Sequence, residues 1–71
     1  MKITHDQTQK LLSGSYAFTQ FGFSMLITRL KGVYSKDSSQ MSLEKCADEI
    51  NEFLQKYSAI MMPDYAIIAR L

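Results

Sequence analysis

Cysteine and histidine each occur once in this chain, as Cys46 and His5. That absence constrains the fold more than any motif does. A chain of 71 residues buries only about 60% of the surface its unfolded form exposes, so its stability is marginal. Chains of this size are stabilised by disulfides, a metal, self-association or very regular helix packing. One cysteine excludes an internal disulfide, and one cysteine with one histidine excludes a Cys/His zinc cage. No alternating Asp/Asn loop suggests a calcium site, so no metal or cofactor is expected. Packing and self-association remain, and a hydrophobic content of 46% with five Met, four Phe and four Tyr suits both. A homo-oligomer, most simply a dimer, is the expectation.

The densest apolar region lies within Leu11–Thr28, 18 residues without a charge between Lys10 and Arg29. Ser13, Gly14, Ser15, Thr19, Gln20, Gly22, Ser24 and Thr28 dilute it below the roughly 20 mainly apolar residues of a spanning helix. A membrane association is therefore not expected. Met1–Lys10 lacks the apolar run of a secretory signal, and a lone cysteine fits a reducing, cytoplasmic setting.

Hydrophobic periodicity predicts a single all-α domain, a small bundle of three to four helices on an antiparallel hairpin. Thr4 and Gln7 have capping-box spacing, opening a helix over about 5–12 that stops at Ser13-Gly14 with the glycine in the left-handed region. A second helix is predicted over 15–31, capped by Ser13 or Ser15 and stopped by Gly32. Gln20, Ser24, Thr28 and Lys31 form its narrow polar face, while Tyr16, Phe18, Phe21, Phe23, Met25, Leu26, Ile27 and Leu30 fill most of its circumference. A helix apolar nearly all round needs cover from several sides, which again points to a partner. Gly22 inside it suggests close helix approach or a tolerated defect.

After a serine-rich linker, Gly32–Met41, a third helix is predicted over 43–61. Ser42 is its expected N-cap, and Met41 its staple onto Cys46. Leu43, Ala47, Ile50, Leu54, Tyr57 and Met61 recur at four and three, with Cys46, Phe53 and Ile60 as a second row. Pro63 is expected to end this helix. Asp64 is expected to cap a last helix over 65–71, where a strand would have no partner.

No constellation carries catalysis. His5 and Asp6 are neighbours at a helix start with no third group to orient them. Cys46 lies in an apolar stripe among Glu44, Asp48 and Glu49, which oppose thiolate formation. The net charge of +1 provides no field to recruit nucleic acid, but the charge is uneven. Five basic and two acidic residues precede Ser38, whereas four acidic and one basic lie between Ser42 and Glu52. Glu44, Asp48 and Glu52 follow at intervals of four, and like charges so spaced destabilise a helix. The row is read as a solvated face or as an acidic docking edge for a basic partner. Arg29, Lys31 and Lys36 form the alternative basic patch. The expected function is a non-enzymatic protein-binding protein: an adaptor, inhibitor or assembly factor, including an accessory protein of a phage or mobile element. The rival is a nucleic-acid-binding transcriptional regulator with a helix-turn-helix-like core, whose recognition helix should carry Arg, Lys, Asn or Gln rather than these carboxylates.

Overall fold

Where backbone donors find partners decides the element boundaries, and three of the four helices begin or end away from their predicted positions. The computed structural model describes residues 1–71 as four α-helices with no strand: α1 (His5–Ser13), α2 (Phe21–Lys36), α3 (Gln40–Lys56) and α4 (Met62–Ala69), the last preceded by a 3-10 turn, Ser58–Met61. The chain is an all-α small bundle, as its periodicity predicts.

The α1 capping box is formed. The Gln7 amide donates to Thr4 Oγ1 at 3.1 Å, and the Thr4 amide donates to Gln7 Oε1 at 2.9 Å. Ile3, Thr8, Leu11 and Leu12 are buried, so this short helix is held by docking rather than by propensity. Gly14 closes it with φ −97°, extended rather than left-handed. The Tyr16 ring lies over the glycine, 2.5 Å from where a Cβ would stand, so a side chain there would have to displace that ring.

The second helix starts at Phe21, not at 15. The Asp64 carboxylate, 45 residues from Thr19, accepts the Thr19 and Gln20 amides at 2.8 and 3.0 Å, and Gln20 is extended rather than helical. Gln20 then becomes the N-cap, its side chain accepting from the Gly22 amide at 3.2 Å. Gly32 does not stop the helix. Its φ is negative and the helical hydrogen bonds continue through it to Lys36. The linker shrinks to Asp37–Ser39, an Asx-type turn in which Asp37 Oδ1 accepts from the Ser39 amide at 3.1 Å.

The Ser39 hydroxyl in turn accepts from the Ser42 amide at 3.2 Å, making Ser39 the N-cap of α3. Ser42 is therefore a buried residue inside the helix, and Met41 is 65% exposed rather than stapled onto Cys46. At its far end α3 closes at Lys56, five residues before the predicted stop at 61. Pro63 sits in the first turn of α4, where its missing N–H costs nothing. It starts a helix instead of ending one, so α4 begins at Met62 rather than at 65 and ends at Ala69.

Phe23, Ile27 and Leu30 of α2 meet Leu43, Cys46, Ile50 and Leu54 of α3, with Ile3, Leu11, Leu12, Met61 and Ile68 completing the core. Phe53, late in α3, touches Phe23 early in α2, with ring centroids 5.5 Å apart. One turn earlier on α3, Glu49 pairs with Arg29 further along α2. Truncating any fully buried Leu or Ile here costs about 2–5 kcal/mol, much of what so small a domain has. A Cβ on Gly22 would rest 3.5 Å from the Phe53 ring, an ordinary contact, so helix approach does not require a glycine there.

Candidate functional site

The α3 helix buries one stripe and exposes Glu44, Asp48 and Glu52 outside it. At intervals of four their Cα atoms rise about 6 Å per step. None of the three forms an ion pair, since the two in the molecule are Asp6–Lys10 and Arg29–Glu49. Beside the row is an open hollow of about 540 Å³ lined by Met1, Lys2, Asp48, Asn51, Glu52 and Gln55. The edge is built by Asn51. Its Oδ1 accepts from the Ile3 amide at 2.7 Å, and its Nδ2 donates to the Ile3 carbonyl at 3.2 Å. This two-point grip fixes the segment before α1 along α3 and brings Lys2 to the acidic hollow. Sequence reasoning missed Asn51, although a poor helix former in mid-helix is a signal of a side chain with other business.

The alternative basic patch is not brought together. At 100° per residue Lys31 projects from roughly the opposite side of α2 to Arg29 and Lys36. Arg29 Nη2 donates to Glu49 Oε1 at 2.6 Å, Lys31 Nζ donates to the Gly14 carbonyl, and Lys36 stands alone at the helix end. The predicted polar face of α2 is likewise not its outermost one. Gln20, Ser24 and Lys31 are half-buried, whereas Phe21 and Met25 are 74% and 58% exposed.

Asp64, expected as a local cap, is fully buried. Besides the two amides it accepts from Thr19 Oγ1 at 3.0 Å. Three donors and the start of α2 offset the cost of burying the carboxylate. This is a structural clamp between α4 and α2.

The remaining reactive side chains are dispersed. His5 is exposed, and its neighbour Asp6 turns to Lys10 at 3.2 Å. Cys46 is buried. Burial pushes its thiol pKa up and Glu49 adds to the effect, against the adjacent Ser42 hydroxyl and Arg29. No three His, Cys, Asp or Glu side chains gather as a metal site, and no helix is long and apolar enough to cross a membrane.

Between α2 and α3 runs a shallow groove of about 240 Å³ floored by Leu26, Phe53 and Tyr57 and rimmed by Glu49, Glu52 and Lys56. The Phe53 and Tyr57 rings lie 4.7 Å apart. Its volume is below the usual range for small-molecule pockets. The sequence matches no family model, and the comparisons with curated proteins and solved structures give no match.

Proposed function

We propose that this chain is a small non-enzymatic protein-binding protein of the reducing cytoplasm, acting as an adaptor, inhibitor or assembly factor, of the accessory kind that phages and mobile elements carry. In this reading it also self-associates. The Glu44, Asp48 and Glu52 row is its docking edge for a basic segment of another protein. One observation carries the reading: three exposed carboxylates follow one another along α3 at intervals of four, and none forms an ion pair within the chain. Such a row costs the helix a few tenths of a kcal/mol per pair. A partner presenting cations at about 6 Å intervals, from successive turns of a helix or alternate residues of a strand, matches the spacing. The rival reading as a nucleic-acid-binding regulator lacks a continuous basic surface, because Arg29 is paired and Lys31 lies across α2.

The test is capture from the source lysate with and without nuclease, comparing the native chain with the double variant Asp48→Lys/Glu52→Lys. One dominant protein that is lost with the double variant, at an unchanged or higher melting temperature, is the expected result. Equal recovery by both chains removes the acidic edge from the reading. Recovery that nuclease abolishes replaces it with nucleic-acid binding.

A further inference from the structure

We draw no further inference here: the strongest candidate, the exposed apolar face of α2 around Phe21 and Met25, is smaller than a stable dimer needs, and nothing in the structure shows what covers it.

Discussion

Helices α2 and α3 have nearly the same length, 16 and 17 residues, and opposite relations to water. In α3 the inward stripe is apolar and the outward flank charged, so the helix explains itself within one chain. Its start is equally local, a serine hydroxyl accepting an amide three residues ahead. In α2 the most exposed large hydrophobic side chain is a phenylalanine, 74% exposed, and the start is fixed by a carboxylate from the far end of the chain. A helix whose own fold accounts for both faces offers a partner charge only. One that leaves Phe21 and Met25 in water offers apolar area, which drives association more generally.

The largest expected effect comes from breaking the long-range start of α2. Asp64→Ala leaves the Thr19 and Gln20 amides without their acceptor and should cost about 3 kcal/mol, enough to unfold much of a domain this small. Urea denaturation followed by circular dichroism checks it, and a loss no larger than a surface truncation would mean that the clamp is incidental. Ser39→Ala removes the local start of α3 and should cost about 1 kcal/mol. The contrast between the two losses measures how differently the helices are begun. Gly32→Ala, measured in dilute solution, should raise stability by about 1 kcal/mol, and a loss instead would show that the single chain does need the glycine.

Cys46 sharpens the comparison from the α3 side. Its folded-state pKa lies above the unfolded one because burial and Glu49 disfavour the thiolate. The fold therefore favours the neutral thiol, and this contribution is whole below about pH 9 and lost as pH rises through the folded value. The stability margin of the native chain over Cys46→Ala should shrink as pH is raised from about 8 to 10, and a constant margin would contradict the burial argument. Asp48→Lys is expected to act least. It converts two like-charge spacings, to Glu44 and Glu52, into favourable ones and should stabilise α3 by roughly 0.5 kcal/mol, read as a small rise in melting temperature.

What the sequence made legible follows from range. The Thr4–Gln7 box, the Leu43–Leu54 stripe and the acidic row are all written within one helical turn of their neighbours, and each stands where the spacing put it. The start of α2 was hidden because its determinant, Asp64, acts across 45 residues and takes amides that a helix from Ser15 would have used. Pro63 was misassigned because the same ring that forbids a helix interior suits a first turn, and a 3-10 turn left room for the second option. The outward face of α2 was hidden for a different reason. A helix apolar nearly all round does not specify which apolar side turns inward, and packing against α1 and α3 decides it.

The central claim is that α3 presents an acidic row without ion-pair partners to a basic segment of another protein. Two-dimensional ¹H–¹⁵N NMR of the full chain titrated with a lysine-rich peptide tests it most directly. Shifts centred on Glu44, Asp48 and Glu52, and lost in Asp48→Lys/Glu52→Lys, are the predicted result. Shifts spread evenly over all exposed carboxylates, or none at any peptide concentration, would contradict it.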